Sequence, residues 1–352
     1  MSDLPDVTAA KLSLDNGPKK LFIGAYGFEE RALGWARMIT PTGAPLQRAI
    51  LFRYINGKGR NRVHELQQAL RNLGCSDSQE IKYQVRYPQD IEDIIEARLT
   101  KLIPFVDEII VDITAMTKFL ILVLLFKLAQ FDRRVRIVYS EAEEYAPSEA
   151  EYIKSKSEME LIAKYPSRGS ESILRARCLS SIRMQGQPVT LVAFTSFNEQ
   201  LVRHMLGTIT PHRLILINGQ PPRKEYAWRE RATQEIHAKL IEEYSEDNPL
   251  DGQGKLLRAT STLDYLQTVS VLEQVHTEFG HHERIIIAAT GSKMQTVGLF
   301  VHKSVHPDVH VEYPTPDSYY VTGMSKRIWQ VHEADFSRFA TILRGLGLSS
   351  KT

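Results

Sequence analysis

Residues 283–300 read ERIIIAATGSKMQTVGLF. The apolar run Ile285-Ile286-Ile287-Ala288 gives way to a turn, Ala289-Thr290-Gly291-Ser292-Lys293, and then to a helical pattern that begins at Met294. A short apolar run followed by a small-residue turn and a helix predicts a buried parallel strand feeding a helix. The turn then lies at the carboxyl end of the strand, where open α/β sheets bind ligands. Gly291 lets backbone approach a ligand, and Thr290 and Ser292 offer hydroxyls. Lys293 adds a positive charge beside the free N–H groups of the helix start, a set of groups that suits phosphate.

The stretch has a counterpart in the first half of the chain. Residues 107–126 read DEIIVDITAMTKFLILVLLF. Aligning Thr117-Lys118 with Ser292-Lys293 puts Ile110 on Ile285, Val111 on Ile286 and Thr114 on Ala289. The likeness extends outward. Strand-like runs at 21–26 and 189–194 lead into turns that pair Phe28 with Phe197 and Glu30 with Glu199. Second strands are expected at 49–53 and 213–218, each before a basic loop, 56–62 or 219–224. Runs at 135–139 and 309–313 both end in tyrosine, and Tyr145 aligns with Tyr319.

Strands alternating with helices in each half predict an α/β protein with mainly parallel, doubly wound sheets. A repeat whose period is half the chain makes the repeating unit a whole domain. The expected boundaries are an N-terminal tail at 1–18, a first domain at 19–145, a charged helical connector at 146–188, a second domain at 189–325 and a C-terminal helical tail at 326–352. Two like domains pack most simply about a pseudo-two-fold axis, as an internal pseudo-dimer. If their strand ends face one another, both lysine turns line one cleft.

Composition narrows the partners. The chain has 352 residues, 43% hydrophobic and 24% charged, with a net charge of +2. That small charge argues against duplex nucleic acid as the main partner. Two cysteines, Cys75 and Cys178, make no disulfide framework, and a reduced cytoplasmic setting is the default. The N-terminus lacks the apolar core of a signal peptide. The most apolar run, 119–128, is interrupted by Lys127 and too short to span a bilayer, so no membrane partner is expected. His281-His282 has no further ligands at metal spacing and reads as a polar loop.

The repeated unit resembles the CARF-type Rossmann-like domains of CRISPR and related antiviral systems, in which a strand ends in a Thr-Gly-Gly-Thr-Lys-like turn and two domains pair to bind a cyclic oligonucleotide. The matching residues are Ala289-Thr290-Gly291-Ser292-Lys293 and Thr114-Ala115-Met116-Thr117-Lys118. The second turn keeps one glycine, whereas Ala115 and Met116 replace both in the first. Two such units in one chain also resemble the SAVED domains of cyclic-nucleotide antiphage systems. The resemblance covers most of the chain as a pattern, but its specific motifs cover only about ten residues.

The candidate ligand-binding residues are Thr114, Thr117, Lys118, Thr290, Gly291, Ser292, Lys293 and Met294 in the lysine turns. Gly27, Phe28, Glu30, Ser196, Asn198 and Glu199 in the first-strand turns join them, with Lys58 and Arg60 in the basic loop. Lysine at a helix start is unfavourable unless an anion is present, which favours function over a plain solvated side chain. Glu30 and Glu199 also suit helix capping, and the basic loop also reads as an ordinary surface loop. The resemblance implies a non-catalytic sensor of a cyclic oligonucleotide or related nucleotide second messenger, acting through an effector protein or self-association. It implies no cofactor and no metal. A metal-independent, ring-nuclease-like phosphodiesterase and a nucleic-acid-binding subunit of a defence complex are the alternatives.

Overall fold

Five parallel strands, of which the middle ones are buried over nearly their whole length, set the architecture of each half. The computed structural model describes residues 3–14, 16–40, 46–55, 62–84, 88, 90–155, 157–162, 165, 167–247, 256–319 and 324–349. In chain order the first half holds β1 (Thr8–Ala9), β2 (Lys20–Ala25), α1 (Gly34–Met38), β3 (Arg48–Tyr54), α2 (Val63–Asn72), β4 (Asp77–Tyr83) and α3 (Ile91–Leu102). There follow β5 (Glu108–Asp112), α4 (Lys118–Leu128), β6 (Arg134–Glu141) and β7 (Glu144–Tyr145). Next come α5 (Glu149–Lys154), α6 (Glu158–Ile162), β8 (Ser167–Arg168) and β9 (Ser172–Leu174). The second half continues with β10 (Val189–Phe194), α7 (Gln200–Ile209), β11 (Arg213–Gln220), α8 (Trp228–Ile236), α9 (Ala238–Asp247), β12 (Leu257–Ser261) and α10 (Tyr265–Phe279). It closes with β13 (Arg284–Ala288), α11 (Lys293–Val305), β14 (His310–Thr315), β15 (Ser318–Tyr319), β16 (Ser325–Lys326), β17 (Gln330–Phe336) and α12 (Phe339–Ser349).

The two main sheets share one topology. Their orders are β4-β3-β2-β5-β6-β17-β1 and β12-β11-β10-β13-β14-β9. In each, five parallel strands end against one antiparallel strand, β17 or β9. This is a mixed α/β, Rossmann-like fold with mainly parallel sheets, present twice. The central strands are as expected: every residue of β5 is buried, as are Ile285 to Ala288 of β13. Helix α4, apolar on all sides, is buried along nearly its whole length, as such a helix must be. Its buried cation, Lys127, reaches Glu96 at 2.7 Å and Glu92 at 3.6 Å on α3.

Three expected boundaries move. The chain divides into 1–145 with 321–352, and 146–320. The segment 146–188 is therefore no separate helical connector, because β8 and β9 pair inside the second unit. The segment 326–352 is no purely helical tail, because β17 runs the length of β6 in the first sheet. Within 1–18, β1 pairs with β17 and extends that sheet. The reason is common to all three: the outer edge of a last parallel strand leaves backbone groups unpaired, and a strand from elsewhere in the chain takes them. Helices α8 and α9 follow one another directly and meet at His237.

The edge strands themselves repeat, which the sequence reading did not find. Tyr139, Ser140 and Glu141 of β6 face His332, Val331 and Gln330, while Tyr313, Pro314 and Thr315 of β14 face Leu174, Ile173 and Ser172. The short pairs agree as well, with Tyr145 opposite Ser325 and Tyr319 opposite Ser167. Counting from Ser167 and from Ser325, every partner falls at the same step. The third residue of each module is left-handed, Gly169 at φ 68 and Arg327 at φ 56.

Leu122, Leu125, Val297 and Phe300 are all 0% exposed. Leu125→Ala leaves a cavity under the first sheet and should cost roughly 2–5 kcal/mol in a denaturant titration.

Candidate functional site

In both units the lysine turn joins a buried parallel strand to a capped helix. In the second unit Ser292 caps α11: its Oγ accepts from the Gln295 N–H at 3.0 Å, and Gln295 Oε1 accepts from the Ser292 N–H at 2.7 Å. The reciprocal pair is a capping box. Ser292 Oγ also donates to the Thr262 carbonyl at 2.7 Å, and Gln295 Nε2 donates to Thr260 Oγ1 at 2.9 Å. Thr290, 2% exposed, accepts from the Phe194 N–H at 2.9 Å and donates to the Phe194 carbonyl at 2.7 Å. Gly291 is dictated by this packing, since a Cβ there would lie 2.5 Å from Gln295 Oε1 and 2.8 Å from Phe194 Cγ. Met294 is buried. Lys293, half-buried, is the first helical residue.

The first unit builds the same turn with different braces. Thr117 caps α4 by accepting from the Leu120 N–H at 3.2 Å. Thr114, 1% exposed, accepts from the Ser140 N–H at 2.9 Å, and its own N–H donates to Asp112 at 2.9 Å. Tyr54, at the end of β3, holds the middle of the turn: its hydroxyl donates to the Ala115 carbonyl at 3.1 Å and accepts from the Thr117 N–H at 2.8 Å. Lys118 stands where Lys293 stands, first in its helix and half-buried. Burial lowers its pKa to about 8.

The first-strand turns lie beside the lysine turns. A Cβ on Gly27 would sit 2.9 Å from Ala115 Cβ, so glycine is what lets the two turns of the first unit touch. Phe28 is half-buried, and its carbonyl accepts from Arg62 Nε at 3.3 Å. Glu30 lies 3.9 Å from Arg37 at the surface, and Glu199 pairs with Arg203 at 2.9 Å as the cap residue of α7. Ser196 Oγ accepts from the Asn198 N–H at 3.2 Å. Asn198, 2% exposed, donates to Ser167 Oγ at 3.1 Å and to the Gly169 carbonyl at 3.0 Å. At the aligned position of the first unit, Glu29 accepts from Ser325 Oγ. Each first-strand turn thus hooks the first serine of its edge module. Lys58 and Arg60 lie outside the described residues.

Two clusters went unread in the sequence. In the first unit Arg31, 9% exposed, donates to Glu29 at 2.9 Å and to the Tyr139 hydroxyl at 3.0 Å, with the Tyr145 ring 5.5 Å away. Burial works against its charge, but Glu29 and the two phenols outweigh it and hold its pKa well above the ordinary value. Burial raises Tyr139 well above an ordinary phenol, helped by Tyr145. Desolvation of its hydroxyl, helped by Tyr313, also raises Tyr319, whose side chain is otherwise 43% exposed, so the tyrosine pair recurs although the arginine does not. The second cluster lies at the far end of α11: Glu273, His276, His302, His306 and Asp308. The helical spacing of His302 and His306 was its one sequence signal.

No protein-family model and no curated protein matches the chain. Among solved structures, a Pseudomonas aeruginosa UCBPP-PA14 protein described as a universal stress protein aligns over 96% of this chain and 99% of its own, at 12% identity and a TM-score of 0.24. A functionally unknown protein of Pseudomonas aeruginosa PAO1 aligns over 96% of this chain and 98% of its own, at 12% identity and a TM-score of 0.23. Scores this low say nothing about a shared site.

Two outcomes test the turns. Gly291→Ala displaces Gln295 or Phe194, breaks the capping box and should cost about 1–3 kcal/mol in chemical denaturation. Lys118, at about 8 in the folded chain against about 10.4 unfolded, carries a full penalty for its charge below pH 8. Between those values the unfolded chain holds more protons, so this penalty fades as pH rises. Lys118→Met should therefore gain most on the unsubstituted protein near pH 7, and the gap in melting temperature should narrow towards pH 10.

Proposed function

We propose that the protein is a sensor that binds a cyclic oligonucleotide or a related nucleotide second messenger through the lysine turns of its two units. The observation that carries this reading is the recurrence of one arrangement at one topological position. Each turn follows the fourth parallel strand in chain order, puts a hydroxyl residue at the helix cap and a half-buried lysine at the first helical position. A lysine there opposes the helix dipole, and burial opposes its charge. An anion reverses both effects, because phosphate favours the same free N–H groups and restores the ammonium. The resemblance of the two turns to those of CARF and SAVED sensors supports a nucleotide as the anion and supports a role in antiviral defence through an effector or self-association.

The internal hydrogen bonds sort the candidates. Thr114, Thr290, Asn198 and Met294 are buried and hold the turns in shape. Direct contact falls to Lys118 and Lys293, to backbone N–H groups at the helix starts, and to the half-buried Gly27 and Phe28. A second reading follows from the pKa of about 8 at Lys118, which suits proton transfer near neutral pH. On that reading the same turns belong to a phosphodiesterase that cleaves the messenger.

Calorimetric titration with cyclic and linear oligonucleotides tests both. Lys293→Ala and Lys118→Ala should each weaken binding roughly ten- to a hundred-fold, as expected for loss of a charge-assisted contact of about 1.5–3 kcal/mol. Binding near pH 8.5 should take up protons at Lys118, seen as a dependence of the heat on buffer ionisation enthalpy. Chromatography of the ligand after incubation separates sensor from enzyme. Affinity unchanged in both variants would refute the assignment.

A further inference from the structure

The C-terminal ends of α10 and α11 bring three imidazoles and two carboxylates together. Glu273 lies at the centre: His302 Nδ1 is 2.8 Å from its Oε1, and His306 Nε2 is 2.8 Å from its Oε2. On the other side of His306, His276 Nε2 is 2.9 Å from Asp308, and the His276 and His306 rings are 3.8 Å apart. The donor atoms of Glu273, His302 and His306 all lie within 4.8 Å of one another, as do those of His276, His306 and Asp308. Gly280 makes room for this arrangement, since a Cβ there would meet the His276 ring at 2.9 Å.

We propose that Glu273, His302 and His306 bind a divalent transition-metal ion of the zinc class, with the His276–Asp308 pair supporting His306. Four observations favour a cation. Two imidazole nitrogens converge on one carboxylate. Glu273 with Asp308 supplies two negative charges, which a divalent ion neutralises. His306, the cap residue of α11, bonds its N–H to the His302 carbonyl one turn back at 2.9 Å, and Glu273 and His276 are three residues apart on α10, so the members of each pair are near neighbours. Two helix C-termini meet there, where the backbone dipoles favour positive charge.

The donor set selects the metal. Imidazole with carboxylate suits zinc, copper or nickel over magnesium or calcium. Three protein donors with a water make an open zinc site, and a tetrahedral ion with ligand bonds near 2.1 Å needs donors about 3.4 Å apart. The present 2.8 Å contacts reach that spacing by a small rotation of the Glu273 carboxylate. The site is remote from the lysine turn: His302 and His306 follow Lys293 by nine and thirteen residues, about 14–20 Å along the helix. It is therefore independent of the nucleotide reading.

The full chain, stripped with chelator and dialysed, is titrated with zinc chloride by calorimetry and by thermal shift. The expected result is one ion per chain at micromolar affinity or tighter, with a rise in melting temperature. His306→Gln and Glu273→Gln should each weaken binding by a hundredfold or more, and circular dichroism should show both variants folded. His64→Ala, which removes an exposed histidine of the first unit, should leave the affinity unchanged. Cobalt in place of zinc should give the visible absorption of a tetrahedral site, lost in His306→Gln. Absence of binding, or binding that survives His306→Gln and Glu273→Gln, would overturn the proposal.

Discussion

The open edge of the fifth parallel strand is the constraint on which both units depend. β6 and β14 are interior-type strands, buried along most of their length, yet each is the last parallel member of its sheet. Left alone, each would present a row of unpaired backbone groups beside a buried face. The chain resolves this reciprocally. The segment that follows the first five-stranded array pairs in the second unit, and the segment that follows the second array pairs in the first. Each five-stranded array is thus closed by a strand from outside its own run of parallel strands, β17 in the first unit and β9 in the second.

Charge reinforces that edge in the first unit. Arg136, 1% exposed on β6, contacts Glu108 of β5 at 3.2 Å and Glu333 of β17 at 3.0 Å through Nε, and its Nη2 donates to the Lys11 carbonyl. A buried guanidinium with two carboxylates and a carbonyl is fully satisfied, and loss of any partner would strand a charge in the core. This ties three neighbouring strands and the N-terminal segment in register. In the second unit Arg175, one residue beyond β9, meets Glu312 of β14 at 2.7 Å. The pairing pattern repeats, but the side chains that secure it do not.

The same divergence marks the lysine turns. Backbone position, cap and lysine recur, while the braces differ: Tyr54 in the first unit, Thr290 with the Ser292–Gln295 box in the second. The first turn, with Ala115 and Met116, is held by the Tyr54 hydroxyl, whereas the second packs closely around Gly291. The hydroxyls that looked available for a ligand are largely consumed in this bracing. The features the two turns have in common are the cap and the half-buried lysine at the first helical position.

The repeat, the parallel core and the two turns were legible in the sequence because each rests on local pattern. An apolar run such as 285–288 cannot be anything but buried, and a lysine directly after a hydroxyl cap is visible by spacing alone. The parallel sense of the five-stranded arrays followed from strands alternating with helices. Edge pairing was not legible, because Ser167-Arg168 and Ser325-Lys326 show their kinship only through partners in β7 and β15, and the stretch between short strand and module differs in length. The Glu273–His302–His306 cluster was hidden for the same reason: its members lie on two helices, and nothing in 273–276 announces residues 302–308. Sequence alone determined which segments are buried and where the helices after the two lysine turns begin, since those depend on neighbours along the chain. Only the tertiary structure decided which strand closes which sheet and which side chains share a site, since those depend on groups brought together from more than a hundred residues apart at the edges and about thirty apart at the helix ends.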